Sequence, residues 1–159
     1  MFVNHLGGLL MGTVWKKLGL KEQSPILILD LPENLLELAK DIQNEIHFKP
    51  ATQYSFILFF CFSMEDAKNK VVEVMKLAQE KASIWLCYPK GSSNKYKSDI
   101  NRDKSWSLFS RYDFEPVSLI AIDQDWSAIR FRQTDQISKM TRKTAASEKG
   151  KKRIKKDDD

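Results

Sequence analysis

Three short, almost uninterrupted apolar runs alternate along the chain with segments whose apolar residues recur at helical spacing. The runs are ILILDL at 26–31, SFILFFCF at 55–62 and SIWLCY at 83–88. Near-continuous apolar runs are typical of parallel strands that are covered on both faces. Because strand and helix patterns alternate, the order of elements indicates an α/β fold.

The first two helical patterns carry start signals. A helix over 32–46 is predicted to begin at a capping box formed by Asp30 and Glu33. The helix that follows the second run is predicted to be capped by Ser63.

The last part of the chain combines a third helix with a hairpin. A helix over 100–112 is predicted, with Asp99 as its cap. The runs VSLIAI at 117–122 and WSAIRFR at 126–132 flank a short polar turn, which is a β-hairpin signal.

These elements define a single α/β domain of two or three layers. Its sheet is expected to have about five strands, mostly parallel, and to end in an antiparallel C-terminal hairpin. The three crossovers step in one direction, so the three helices are predicted to cover the same face. Since the strands are apolar on both sides, the second face is expected to be covered by the N-terminal segment and by another subunit of a homodimer.

Charge separates a tail from this domain. Nine of the 26 Lys and Arg residues and four of the 21 Asp and Glu residues lie in 139–159, so 1–138 carries no net charge. The tail has almost no apolar residues and is expected to be disordered. It is interpreted as a solubilising segment, or as a weak contact for anions or nucleic acid.

The α/β domain is assigned to 11–138. Residues 1–10 are interpreted either as a translated leader ahead of a start at Met11 or as a frayed extension. The apolar runs are far shorter than the roughly 20 residues that span a bilayer, so no membrane contact is expected.

The cysteines and histidines of the chain indicate neither a disulfide framework nor a metal site. Cys61 and Cys87 lie inside apolar runs and are expected to be buried, reduced thiols, which fits a cytoplasmic location. His5 and His47 are far apart and have no cluster of possible ligands beside them, so no metal site is expected.

The order of strands and helices resembles the second half of a Rossmann-type methyltransferase, in which the last strand inserts antiparallel into the sheet. That family places a glycine-rich turn after its first strand, whereas this chain has DLPEN after ILIL. Pro32 has no N–H to offer a ligand. The strand that would carry the acidic ribose ligand is also expected to be absent. Neither S-adenosylmethionine nor a dinucleotide is therefore expected as cofactor.

Four motifs in the right order resemble a second family, which consists of small bacterial proteins known only as a domain of unknown function, DUF 3052. They are KLGLKEQSPILILDLPENL, IWLCYPKGSS, SDINRD and DQDWSAIRFR. The resemblance covers 14–132 and implies a bacterial, cytoplasmic α/β protein. It brings no activity and no catalytic residues.

Three functions remain open. The chain contains no GxSxG, HExxH or Walker motif, so no catalytic residue is assigned and a non-catalytic interaction or accessory protein is ranked first. The alternatives are a module that binds a small phosphate or carboxylate, and an enzyme of unknown class.

A binding site, if present, is predicted in the polar stretch YPKGSSNKYK that follows the third run. Ligands in open α/β sheets bind beyond the carboxyl ends of the strands, and this stretch lies there. In an antiparallel neighbour, Arg130 would lie toward the far end of the strand, in a structural role. The predicted site residues are Lys90, Ser92, Ser93 and Arg102, with Trp126 as a wall.

Overall fold

A computed structural model of the chain describes residues 12–134, which form one six-stranded sheet. The strands are β1 (Ile26–Leu29), β2 (Ile46–His47), β3 (Tyr54–Phe60), β4 (Ala78–Pro89), β5 (Phe114–Ala121) and β6 (Trp126–Gln133). They lie in the order β2-β1-β3-β4-β6-β5, with the first four parallel and β6 antiparallel to both of its neighbours. The predicted class is confirmed. The sheet has one strand more than predicted, the short strand β2, which no apolar run in the sequence indicates.

Helical segments cover both faces of this sheet. The α2 face is covered by α2 (Met64–Leu77) and α3 (Arg102–Trp106), and the α1 face by α1 (residues 12–18) and a 3-10 helix, η1 (Glu33–Lys40). The prediction that all helices share one face is therefore wrong. The homodimer was predicted from an uncovered second face, and the described part of the chain covers that face itself.

Alternate residues of the central strands serve two separate cores. In β4, Ile84 and Leu86 pack on the α2 face, while Trp85 and Cys87 pack on the α1 face. The indole of Trp85 also donates a hydrogen bond to the Leu18 carbonyl at 3.0 Å, which fixes the end of α1 on the sheet. Both faces of the sheet are therefore covered and shielded from solvent, as the apolar runs predict.

The helix after β3 matches its prediction. The hydroxyl of Ser63 accepts a hydrogen bond from the Asp66 amide at 3.1 Å and so caps α2. Ala67, Val71 and Val74 are buried against the sheet at helical spacing.

The helix predicted over 32–46 is wrong in type and length. The segment is the 3-10 helix η1, and its buried residues, Leu35 and Leu38, are three apart, which is the period of a 3-10 helix. Asp30 has a left-handed φ of 58° and does not cap, because the N-cap is Pro32, which has no side-chain hydrogen bond. The remainder of the predicted helix is a turn that leads into β2.

The helix predicted over 100–112 is also shorter than expected. Asn101, rather than Asp99, caps α3 by accepting a hydrogen bond from the Lys104 amide at 2.8 Å. The hydroxyls of Ser105 and Ser107 donate hydrogen bonds to backbone carbonyls three residues earlier. Such local side-chain bonds compete with the backbone hydrogen bonds that would extend the helix. The segment then ends in a 3-10 turn, η2 (Ser110–Tyr112).

The predicted hairpin of β5 and β6 is confirmed. The carboxylate of Asp123 accepts hydrogen bonds from the amides of Asp125 and Trp126, both at 2.8 Å, and so forms the turn. Strand β6 pairs antiparallel with β4, as expected from the methyltransferase-like order.

Several predictions about the termini cannot be compared with the structure. The leader or extension at 1–10 and the basic tail at 139–159 lie outside the described residues. Among residues 12–134, no helix has both the length and the apolar character needed to cross a bilayer.

Candidate functional site

Strands β1, β3 and β4 are parallel, so their carboxyl ends meet at one edge of the sheet. Ligands of open α/β sheets bind beyond this edge. The two halves of this edge differ. One half contains the ion pairs of Lys70, which we call the Lys70 bridge, and the other contains a cavity, which we call the carboxyl-edge cleft.

The Lys70 bridge closes the half beside β1 and β3. The ammonium of Lys70 lies 2.7 Å from Asp30, 3.1 Å from Asp66 and 2.7 Å from the Phe60 carbonyl. Burial opposes this charge, but the bonds to Asp30 and Asp66 outweigh it, and the pKa of Lys70 is raised. Lys70 therefore stays charged and ties the ends of two strands to α2.

An aromatic cluster lies at the same edge, on the α1 face of the sheet. Trp126 is fully buried, and its ring centroid lies 5.2–5.3 Å from those of Phe60, Phe62 and Tyr96. The hydroxyl of Tyr96 donates a hydrogen bond to Asn34 at 3.0 Å. The loop after β4 is thereby fastened across the edge to η1.

The carboxyl-edge cleft lies in the other half, beside the end of β4 and the start of α3. Its volume is about 490 Å³. Tyr88, Ser98, Asn101 and Ser127 contribute polar groups to its lining. A cavity of this size and polarity can hold a small polar molecule.

The charge of the cleft is mainly positive. Lys90, Arg102 and Lys104 line it, and Asp99 is the carboxylate among its lining residues. Asp99 accepts a hydrogen bond from the Met64 amide at 2.8 Å, so part of its acceptor capacity is used. The cleft is therefore chemically suited to a phosphate or carboxylate group.

Tyr88 supplies the cleft with a neutral phenol. Burial raises the pKa of Tyr88, the charge of Arg102 opposes the rise and that of Asp103 adds to it. The phenol consequently stays protonated at neutral pH and can donate a hydrogen bond or a proton to a bound group.

Three of the predicted site residues lie together. Lys90, Ser92 and Arg102 all line the cleft. The amide of Lys90 donates to the Asp125 carbonyl at 2.8 Å, which fixes the loop beside β6 as the antiparallel pairing predicts. Whether these side chains bind a ligand stays a prediction.

Ser93 and Trp126 are not among the residues that line the cleft. The hydroxyl of Ser93 donates to the buried Asp125 carboxylate at 2.8 Å and accepts from two amides of its own loop. Trp126 belongs to the α1-face core, because side chains alternate along β6. Its neighbour Ser127 points to the α2 face and lines the cleft instead.

Sequence reasoning missed several lining residues. Asn101 and Lys104 lie on the first turn of α3, which the sequence placed inside a longer helix. Ser127 could have been found from the alternation along β6, because Tyr88 and Ser127 are paired in the ladder. Among residues 12–134, no group of three His, Cys, Asp or Glu side chains could hold a metal ion.

Comparison with solved structures identifies the class of fold. The N-methyltransferase NodS from Bradyrhizobium japonicum WM9, in complex with S-adenosyl-L-homocysteine, aligns with a TM-score of 0.50 and 10% identity, over 77% of this chain and 85% of NodS. The ribosomal protein L11 methylase from Lactobacillus delbrueckii subsp. bulgaricus aligns at 0.49 and 8% identity, over 81% and 79%. The chain has a Rossmann-like methyltransferase fold, as its order of elements predicted.

The sequence itself matches no family model and no curated protein. The resemblance to the DUF 3052 family is therefore unsupported. The prediction of a non-catalytic interaction or accessory protein is contradicted by the solved structure that aligns at a TM-score of 0.50, because that protein is an N-methyltransferase and therefore an enzyme. At this identity the likeness establishes the fold of the chain.

The residues after β1 do not fit the cofactor of that fold. No glycine lies in the turn, Pro32 lacks an N–H, and the Asp30 carboxylate is bound to Lys70. Strand β2 is present where a strand was expected to be missing, but Phe48 and Lys49 follow it and no carboxylate does.

Proposed function

We propose that the protein is an enzyme of the methyltransferase fold whose substrate is a small molecule with a phosphate or carboxylate group. The substrate binds in the carboxyl-edge cleft through Lys90 and Arg102. The observation that carries this proposal is a cleft lined by three cationic side chains and one partly engaged carboxylate, at the edge where this type of sheet binds ligands.

The roles of the side chains follow from their chemistry. The guanidinium of Arg102 offers a fork of N–H donors that matches the oxygens of a phosphate or carboxylate. Lys90 adds a second charge from the end of β4. The neutral phenol of Tyr88 also lines the cleft, where it can donate to the reacting group.

Binding is tested by titrating inorganic phosphate and following backbone amide shifts by NMR. Saturable shifts are expected for residues 88–104, and Arg102→Gln should weaken binding by about tenfold. Lys97→Gln is the matched control, since Lys97 is an exposed lysine of the same loop and does not line the cleft. If both variants weaken phosphate binding equally, the effect is one of overall charge, and the proposed binding site is refuted.

Catalysis is tested separately. The full chain is incubated with a small-molecule cell extract, with and without added S-adenosylmethionine, and anionic compounds are compared by mass spectrometry. An anionic compound should be converted by the native chain and by Lys97→Gln, but not by Arg102→Gln. Phosphate binding without conversion of any compound would leave a binding site and refute the enzyme.

A further inference from the structure

Two arginines lie on alternate residues of β6, away from the carboxyl-edge cleft. Arg130 is paired with Trp85 of β4 and with Ser118 of β5, and Arg132 lies two residues further along. Because side chains alternate along a strand, both arginines point to the α1 face, as Ala128 does.

The Nε donors of this pair are buried and have no partner, while the two side chains as a whole are half-buried. Among the described residues, the Nε atoms of Arg130 and Arg132 have no hydrogen-bond partner, and neither does the Oγ of Ser83 on β4. Burial lowers the pKa of Arg130, and the charge of Arg132 lowers it further. Buried polar donors are normally hydrogen-bonded, so two guanidinium N–H groups and one hydroxyl without partners on the same face point to a ligand.

The local charge balance has the sign that such a ligand requires. Glu115 is fully buried and lies opposite Arg132 in the ladder. Among the described residues of β5 and β6 on this face, Arg130 and Arg132 supply two positive charges and Glu115 supplies one negative charge. Alternate residues of a strand are about 7 Å apart, so one oxyanion can reach both guanidinium groups.

We propose that Arg130 and Arg132 form a second oxyanion site, on the α1 face, that takes a carboxylate or phosphate between their guanidinium groups. The planar fork of arginine binds such groups through two parallel hydrogen bonds, a geometry that lysine does not offer. The oxyanion comes either from a free small molecule or from the acidic residues 157–159 of the chain itself. This site lies on the other face of the sheet from the carboxyl-edge cleft and does not depend on the proposed enzyme.

The side-chain Nε–H signals of the full chain test this proposal by NMR. A free anion predicts a saturable shift of the Arg130 and Arg132 signals with inorganic phosphate, weakened about tenfold by Arg130→Lys. An internal carboxylate predicts instead that D157N/D158N/D159N moves the same signals in phosphate-free buffer. Arg111→Lys is the control, because Arg111 is exposed and lies on η2.

The signal of Arg102 reports on the carboxyl-edge cleft in the same spectra, so the two sites are distinguished. The second site is refuted if the Arg130 and Arg132 signals respond neither to phosphate nor to the triple variant. If Arg130→Lys does not fold, Arg132→Lys and the titration of the native chain still give the answer.

Discussion

The two halves of the carboxyl edge contain the same kind of charge and differ in what surrounds it. Lys70 is bonded to two carboxylates and a carbonyl, and only 17% of its side chain is exposed. Among the described residues, Lys90 and Arg102 form no ion pair and line an open cleft. The cation of one half is paired with carboxylates. In the other half, Lys90 has no ion pair and Arg102 has a cation–π contact with Trp106 at 5.3 Å, so among the described residues neither cation is neutralised by a carboxylate.

The largest effect is expected at the aromatic cluster on the α1 face of this edge. Trp126→Ala should lower the free energy of unfolding by about 4 kcal/mol, because it removes a fully buried ring that contacts Phe60, Phe62 and Tyr96. Urea denaturation measures this loss. Trp126→Phe should retain most of the stability and all of the phosphate binding. Loss of binding in a stable Trp126→Phe protein would restore Trp126 as a wall of the site.

Removing the charge from the closed half should have the next largest effect. Lys70→Met leaves Asp30 and Asp66 without their cation and the Phe60 carbonyl without its donor, which should cost about 2 kcal/mol in urea denaturation. The loss stays moderate because Asp30 is largely exposed. Lys68→Met, on the exposed side of α2, should change stability by less than about 0.5 kcal/mol. Similar losses in both variants would show that the bridge contributes nothing specific.

Elements with strong local signals could be predicted from the sequence. The apolar runs gave the central strands, Ser63 gave the start of α2, and the turn at Asp123 gave the hairpin. In each case the decisive hydrogen bonds join residues close in sequence, or the burial follows directly from an unbroken apolar run.

Elements set by distant contacts could not be predicted in the same way. Segment η1 is held by bonds such as that from the Trp15 indole to the Leu38 carbonyl at 2.8 Å, across 23 residues. The Lys70 bridge depends on Asp30, forty residues earlier, which the sequence assigned to a helix cap. Which face of the sheet bears the cleft depends on the path of the loop after β4, whose residues Lys90, Gly91 and Ser92 line it.

A third prediction uses the thiol at the end of β3, beside the Lys70 bridge. Burial raises the pKa of Cys61 to about 12, although the charge of Lys70 opposes the rise. In the unfolded chain this thiol ionises near its ordinary 9.0, while in the folded chain it stays protonated. Above pH 9 the folded state therefore binds more protons, and stability falls as pH rises toward 12.

The expected slope from this one thiol is about 1.4 kcal/mol per pH unit. Urea denaturation of the native chain and of Cys61→Ala between pH 9 and 10.5 measures it, and the variant should show the shallower decline. Cys87 and Tyr88 also have raised pKa values, so the native chain and the variant both retain their contribution. Parallel curves for the two proteins would contradict a protonated Cys61.

The smallest effect is expected at the one carboxylate that lines the open half. Asp99→Asn removes a negative charge from the cleft while its amide oxygen can still accept the Met64 hydrogen bond. Phosphate should therefore bind about two- to threefold more tightly, and the gain should shrink as salt is added. Glu80→Gln, an exposed acid near the opposite end of β4, removes the same charge and should leave the affinity unchanged. NMR titration distinguishes these outcomes: if Asp99→Asn weakens phosphate binding or leaves it unaltered, the anion is not held among Lys90, Arg102 and Asp99, and the contrast between the two halves has no consequence for binding.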